Sequence, residues 1–351
     1  MKPAQVIKRV RNLRNAISIN INRARGREFI PNHRSSLAIE TSSVCNLACR
    51  FCAYPKKTSP KVVMKDAFFK DCVRQALEMG YRKFPLTPCT GDIFMDRGIF
   101  NKFKFLDETS AVESYDFFTN FTVLKAHDIR RLLDLGKLTG LNITIYGCDA
   151  ESFVAITQST EKLYRRLVYN LETLLTEIGR RRFHLQFWVH AGVPSLRGRS
   201  SEITQLMERF REIGIPVKIK SGLYNNWGGL VTTNDVRGLP IDIAGPGLIY
   251  KKGACVELMT TVQVMATGIV NGCACRDTNA TLRLGDLNEV PLRDLISSRN
   301  PRYMALIEQQ QQGRFQTVCQ SCDMYNSIYL NKSKYRGTAV ETLDEFKRRI
   351  G

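Results

Sequence analysis

Hydrophobic positions change their period along the chain, and the changes predict its elements. Near the start, Val6, Val10, Leu13, Ile17 and Ile21 recur at three- and four-residue steps, the spacing of one face of a helix. From about residue 37, short β-branched or aromatic runs alternate with longer helical patterns. Strands are predicted over 37–41, 83–87, 114–119, 141–146, 183–190 and 216–221, and helices near 65–79, 98–109, 124–135, 160–179 and 200–213. Asp66 and Ser201 stand where helices can start, and Gly80, Gly136, Gly179 and Gly214 where they should stop. Six βα units at this spacing predict an α/β fold, with right-handed crossovers and a parallel sheet that is open or curled into a partial TIM-like (β/α)6 barrel.

The alternation then breaks. Residues 222–254 are rich in Gly, Asn and Pro and read as a linker or a long active-site loop. Residues 255–326 carry cysteines with little secondary-structure signal, and a short helix is predicted over 340–350. The expected organisation is a basic extension (1–36), a partial barrel (37–230), a linker (231–254), a small cysteine-rich module (255–326) and a tail (327–351).

Composition narrows the class. With 43% hydrophobic and 24% charged residues the chain matches ordinary soluble domains. It has no apolar run of about 18 residues and no cleavable leader pattern, so the cytoplasm is the expected location. In a reducing compartment its 11 cysteines suggest metal ligands rather than disulfides. The net charge is +19, and residues 1–35 carry Lys2, Lys8, Arg9, Arg11, Arg14, Arg23, Arg25, Arg27 and Arg34 against one acid, Glu28. Three uses compete for this basic amphipathic helix: packing on the body, contact with an anionic membrane surface, and nucleic-acid binding. No nucleic-acid-binding motif accompanies the charge, which disfavours the last.

The segment IETSSVCNLACRFCAYP places Cys45, Cys49 and Cys52 in a CxxxCxxC array just after the first predicted strand. The C-terminal end of a parallel strand is where such folds build active sites. Three thiolates can hold three irons of a [4Fe–4S] cluster and leave the fourth open, whereas structural zinc usually takes four ligands. Downstream, Cys255, Cys273, Cys275, Cys319 and Cys322 offer enough thiols for either a second cluster or a zinc ribbon.

The first array, with Phe51 before its third cysteine, resembles the signature of the radical S-adenosylmethionine superfamily. The resemblance implies a cluster whose open iron binds S-adenosylmethionine, reductive cleavage to a 5′-deoxyadenosyl radical, and hydrogen abstraction from substrate. It also implies an electron donor such as flavodoxin or ferredoxin. LTPCTGDIF is similar to the family's glycine–glycine–glutamate motif, with Thr90, Gly91 and Asp92 at the matching positions and Thr90 replacing the first glycine. Thr119, Asn120 and, in NITIYGCDAESF, Tyr146 fall where the family contacts its cofactor; Gly91 and Gly147 also read as plain turn glycines. The order Cys255, Cys273 and Cys319-Gln-Ser-Cys322, with GDLNEVPLRDLISSRNPRYM between, resembles SPASM and twitch modules. No cysteine follows Cys322, so the resemblance implies one auxiliary [4Fe–4S] cluster on Cys255, Cys273, Cys319 and Cys322, with Cys275 a spare or neighbouring thiol.

Such a cluster can accept an electron, so oxidation of an alcohol on a sugar- or cyclitol-like metabolite is the expected reaction. The cysteine spacing is similar to that of 2-deoxy-scyllo-inosamine dehydrogenases. The basic charge fits an anionic substrate. Only about 36 residues precede the first strand, which favours a small substrate over a peptide. A peptide maturase, an epimerase and a non-catalytic iron–sulfur electron carrier or regulator are the alternatives. Asn225, Asn226 and Trp227 are candidates to bind a sugar ring, or else form a turn with Trp227 packed in an interface. His190 is a candidate base, and Cys89 and Cys148 are candidate hydrogen-atom donors.

Overall fold

The computed structural model describes residues 3–32, 36–180, 183–190, 196, 200–220, 222–247 and 249–351. The expectations placed on Lys2, Arg34 and Ser221 lie outside the described residues. Helix α1 (Pro3–Ala24) opens the chain, and Ile30–Pro31 then pairs antiparallel with Val340–Glu341. Alternation follows: β1 (Ala38–Ile39), α2 (Asp66–Glu78), β2 (Lys83–Pro85), α3 (Ile99–Glu108), β3 (Ser114–Thr119), α4 (Ala126–Leu133), β4 (Leu138–Tyr146), α5 (Ala150–Thr157), α6 (Glu161–Glu177), β5 (His184–His190), α7 (Glu202–Glu212) and β6 (Val217–Ile219).

Strands β2 to β6 form a parallel sheet in chain order. β1 joins its edge through a parallel bridge from Ser36 to Lys83, and the Leu37 N–H donates to Lys83 O at 3.0 Å. Five of the six parallel strands expected from the alternation form this sheet, and the other, β1, meets its edge only at that bridge; β1, β2 and β6 are shorter than predicted. β3 shows why the pattern was readable: Tyr115, Phe117 and Thr119 alternate onto the buried face. Phe103 of α3 stacks on both rings, at 5.4 Å from Tyr115 and 5.3 Å from Phe117. Ser201 caps α7 by accepting the Thr204 N–H, as anticipated. Helix α5 was not anticipated; it starts from a capping box in which Asp149 and Ser152 each accept the other's backbone N–H.

A second sheet continues from β1. β7 (Gln263–Val264) runs parallel to β1, and β8 (Ile269–Asn271) and β9 (Arg283–Asp286) add antiparallel strands, giving the order β9–β8–β7–β1. Helices α8 (Pro301–Gln311) and α9 (Thr317–Ser321) follow. The terminal helix predicted over 340–350 is α10 (Leu343–Arg349); its expected first turn is instead the strand Val340–Glu341. Residues Val231, Val236, Ile241 and Ile243 are buried in the core, and Leu223–Tyr224 pairs with Asp242–Ile243, so this stretch is packed rather than an open linker. Among the described residues no helix is long and apolar enough to cross a membrane.

One buried cation fastens the segment that follows β2. Lys102 on α3 is 1% exposed, and its ammonium donates to Asp96 Oδ2 at 2.5 Å and Met64 O at 2.7 Å, with Asp66 Oδ1 3.0 Å away. Burial pushes the Asp96 carboxyl up, and Lys102 pulls it back. Lys102→Met is expected to cost about 3–5 kcal/mol, because it strands a buried carboxylate. The double variant Lys102→Met/Asp96→Asn should recover part of that loss in urea unfolding; equal stability of Lys102→Met and the parent would refute this account.

Candidate active site

The loop after β1 carries Cys45, Cys49 and Cys52. It is pinned on several sides: the Ala48 N–H donates to Thr157 O and the Arg50 N–H to Ile156 O, both at 2.9 Å. The Arg50 guanidinium donates to Asp235 O at 2.9 Å and Arg237 O at 2.7 Å. Amide donors face the sulfurs. The Leu47 N–H lies 3.5 Å from Cys45 Sγ, the Tyr54 N–H 3.4 Å from Cys52 Sγ, and Asn120 Nδ2 donates to Cys45 Sγ at 3.9 Å. Burial pushes Cys45 up to about 12 and Cys52 up to about 11, and raises Cys49 as well, with the neighbouring thiols adding to it. These groups are uncharged thiols until a cation shares the pocket, and binding one must release their protons.

The positions after β2 and β3 meet this loop. Gly91 has φ +142°, and a Cβ there would lie 2.7 Å from Ser42 O, so the two backbones touch only because residue 91 is glycine. The Asp92 N–H donates to Val44 O at 2.8 Å. The Asp92 carboxylate accepts from the Asn120 N–H (2.7 Å), the Phe94 N–H (3.0 Å) and Thr119 Oγ1 (3.0 Å). Burial raises it to about 6. Asp92 thus ties the tips of β2 and β3 together beside Cys45, with Asn120 bridging to Asn46 at 3.0 Å. Thr90 is buried and shares a 2.5 Å hydroxyl contact with Thr278.

On the other side of the loop, aromatic rings gather. Phe51 lies 5.6 Å from Tyr146, 5.4 Å from His190 in near-parallel stacking, and 5.0 Å from Tyr224. His190 Nδ1 is buried without a hydrogen-bond partner. Burial first, and Lys220 second, lower the imidazole to about 4. It is neutral at neutral pH and a weak base, so His190 suits accepting a hydrogen bond better than taking a proton.

The second set converges as well. Cys255, Cys273, Cys275, Cys319 and Cys322 all line one cavity. The amide pattern repeats: the Cys275 N–H faces Cys273 Sγ at 3.4 Å and the Met324 N–H faces Cys322 Sγ at 3.3 Å. Gln310 Nε2 donates to Cys319 Sγ at 3.3 Å, and the Asn326 N–H to Cys255 Sγ at 3.5 Å. Burial pushes Cys319 up to about 12 and raises Cys255 and Cys322. Cys273 holds its proton against Cys275, which is lowered by that contact. Cys275, expected to be a spare or a neighbouring thiol, shares the cavity. All 11 cysteines are free thiols. Among the described residues no three His, Cys, Asp or Glu side chains converge tightly enough for a single metal ion.

The two sets are sutured together. Lys57 Nζ donates to Thr278 O at 2.7 Å, the Thr58 N–H to Asn279 Oδ1 at 2.9 Å, and Gln263 Nε2 to Thr87 O at 2.9 Å. Trp227 Nε1 donates to Phe51 O at 3.0 Å, while Asn226 Nδ2 donates to Ser321 O at 2.7 Å. The loop expected to border substrate is therefore mainly the seam between the sets, as the interface alternative had it. The Arg276 guanidinium lies 5.3 Å over the Trp227 ring, and its Nε is buried without a hydrogen-bond partner, 3.8 Å from Asp323. It is close enough to Cys52 and Cys322 to lower both thiols against the effect of burial. Cys89 sits against Met265, Ala280 and Trp227 on the same seam. Cys148 lies apart in the capping turn of α5, beside Asp149 and Ser152. Sequence reasoning missed Arg276, Lys57 and Glu40; their partners are remote in sequence, and only the adjacency of Arg276 to Cys275 hinted at one of them.

No family model matches the chain, and no curated protein does. Solved structures do. The fold is similar to that of BtrN in complex with AdoMet and 2-DOIA, at 14% identity and a TM-score of 0.54, over 89% of this chain and 100% of that one. It is similar to Streptococcus suis SuiB bound to precursor peptide SuiA, at 15% identity and a TM-score of 0.54, over 84% and 72%. It is also similar to native anSMEcpe with bound AdoMet, at 15% identity and a TM-score of 0.51, over 90% and 96%. At these identities the likeness is one of fold.

Gly91→Ala tests the contact between the loops. The added methyl must push Ser42 and the cysteine loop away, so iron retained after anaerobic reconstitution should fall by about half, to about four per chain, with the second set still loaded. Full iron retention by Gly91→Ala would show that this close approach does not shape the first site.

Proposed function

We propose that the chain is a radical S-adenosylmethionine enzyme with one auxiliary iron–sulfur cluster, and that it oxidises an alcohol on a polar, anionic, sugar- or cyclitol-like substrate. The observation that carries this reading is the pairing of two buried, amide-lined thiol sets across one seam, the first with three cysteines and the second with enough for full ligation. The fold shared with structures holding AdoMet supports it.

Cys45, Cys49 and Cys52 would hold the first [4Fe–4S] cluster, and Cys255, Cys273, Cys319 and Cys322 the second, with Cys275 beside it. When bound and reduced by a donor such as flavodoxin or ferredoxin, the first cluster and S-adenosylmethionine supply a 5′-deoxyadenosyl radical that takes a hydrogen atom from substrate. Thr90, Gly91 and Asp92 would meet the cofactor's methionine amino group, and Thr119, Asn120 and Tyr146 the rest of it. Phe51, Tyr146 and Tyr224 form an apolar wall that keeps water from the reacting region. The vacant Nδ1 of His190 would accept a hydrogen bond there. Arg276, a desolvated cation with unused hydrogen-bonding capacity, would hold the anionic part of the substrate. Such an oxidation would remove one hydrogen atom from carbon and one proton from the hydroxyl, and a cluster held by Cys255, Cys273, Cys319 and Cys322 would supply the acceptor for the remaining electron. The fold likeness to SuiB bound to a precursor peptide supports a second reading, a peptide substrate at the same site.

The test is iron content and 5′-deoxyadenosine formation after anaerobic reconstitution and dithionite reduction. The parent should hold about eight irons and form the product. Cys45→Ala/Cys49→Ala/Cys52→Ala should keep about four and form none, and Cys319→Ala/Cys322→Ala should keep about four and still cleave the cofactor. About four irons in the parent with no cleavage would leave an electron carrier or regulator in place of the enzyme.

A further inference from the structure

Helix α1 is amphipathic in the sense opposite to that of a helix packed on a protein. Val10, Leu13, Ile17 and Ile21 form its apolar stripe, and they are 46–64% exposed. At about 100° per residue, Ile19 lies opposite that stripe, and it is the residue that packs inward, at 2% exposure. The polar side docks with it. Asn12 Oδ1 accepts the Tyr250 N–H at 2.7 Å, Asn20 Oδ1 accepts the Tyr250 hydroxyl at 3.1 Å, and Asn22 Nδ2 donates to Tyr329 O at 2.9 Å. Directional hydrogen bonds to the body thus hold the apolar stripe outward.

The exposed face is also cationic. Arg9, Arg11 and Arg14 are exposed around the stripe, Arg23, Arg25 and Arg27 are exposed at its end, and α1 contains no acid. Lys334 and Arg336 are exposed nearby, and Arg11 and Lys334 are close enough to Lys332 to add to the lowering that burial imposes on it. An apolar stripe flanked by arginines matches one surface chemistry, that of an anionic lipid bilayer. Hydrocarbon takes the side chains of Val10, Leu13, Ile17 and Ile21 out of water, while lipid phosphates pair with the guanidiniums. A second copy of α1 would bring arginines against arginines with no acid between them. A nucleic acid would set phosphates against four exposed aliphatic side chains.

We propose that α1 is a bilayer-docking surface, lying in the plane of an anionic membrane with Val10, Leu13, Ile17 and Ile21 in the headgroup–acyl boundary. The inference stands apart from the reading of the thiol sites.

The test is co-sedimentation of the full, cluster-loaded chain with vesicles of phosphatidylglycerol and phosphatidylcholine, beside vesicles of phosphatidylcholine alone. The parent should bind the anionic vesicles, and added salt should weaken the binding. Leu13→Asp/Ile17→Asp should lose at least about tenfold in binding, and Leu13→Ser/Ile17→Ser a smaller amount, with little change in thermal melts because these side chains are more than half exposed. Arg11→Gln/Arg14→Gln should bind more weakly and respond less to salt. Equal binding to both vesicle types, or a stripe variant that binds like the parent, would overturn the proposal. So would a dimer that Leu13→Asp/Ile17→Asp dissolves, or binding to duplex DNA that outlasts binding to vesicles as salt is raised.

Discussion

A single buried carboxylate, that of Glu40, fixes where the two cysteine-bearing parts of the molecule lie. Glu40 follows β1 directly and is 1% exposed. One oxygen accepts the Cys89 N–H at 3.1 Å, from the loop after β2; the other accepts the Ala266 N–H at 3.2 Å, from the turn after β7. Burial pushes its carboxyl up, and Lys57 and the two amides pull it back. A charge in the interior persists only with partners of this kind, since its desolvation costs several kcal/mol. Three segments remote in sequence are therefore held to one point, and β1, two residues long, can serve as the strand shared by both sheets.

The same logic governs the thiols. Burying a cysteine is cheap while it is protonated, and costly once it is ionised. Both sets combine burial with backbone N–H groups aimed at sulfur from two residues onward, at Cys45, Cys52, Cys273 and Cys322. Such donors stabilise a ligating thiolate and tune the potential of a cluster without adding net charge. The short turns needed to aim them are the reason that CxxxC, CxxC and CxC spacings carry meaning.

That explains which parts of the fold and site were legible in sequence. β3 could be read because Tyr115, Phe117 and Thr119 alternate within one strand, and the cysteine arrays because their turns are local. Glu40, Lys57 and Arg276 could not, because the partners of Glu40 lie 49 and 226 positions away and that of Lys57 221 away. Trp227 could be read in two ways, and the carbonyl of Phe51, 176 positions away, decides for the seam. The stripe on α1 was legible as a pattern but not in direction. Periodicity shows that a helix has two faces, and here Asn12, Ile19 and Asn22 determine which of them the protein keeps.

Arg276 carries the argument furthest. A guanidinium over Trp227, between two groups of thiols, sits where negative charge would accumulate if both sites held reduced clusters, as proposed. Its Nε makes no hydrogen bond, although Asp323 lies 3.8 Å away and another guanidinium nitrogen donates to Cys275 O, whereas the buried ammonium of Lys102 donates to two oxygens. The Nε left without a hydrogen bond can take a further partner. In the proposed oxidation that partner is the substrate, held by its anionic group between the radical source and the electron acceptor. In that reading the seam is both the joint between the two thiol sets and the surface that would recognise the substrate.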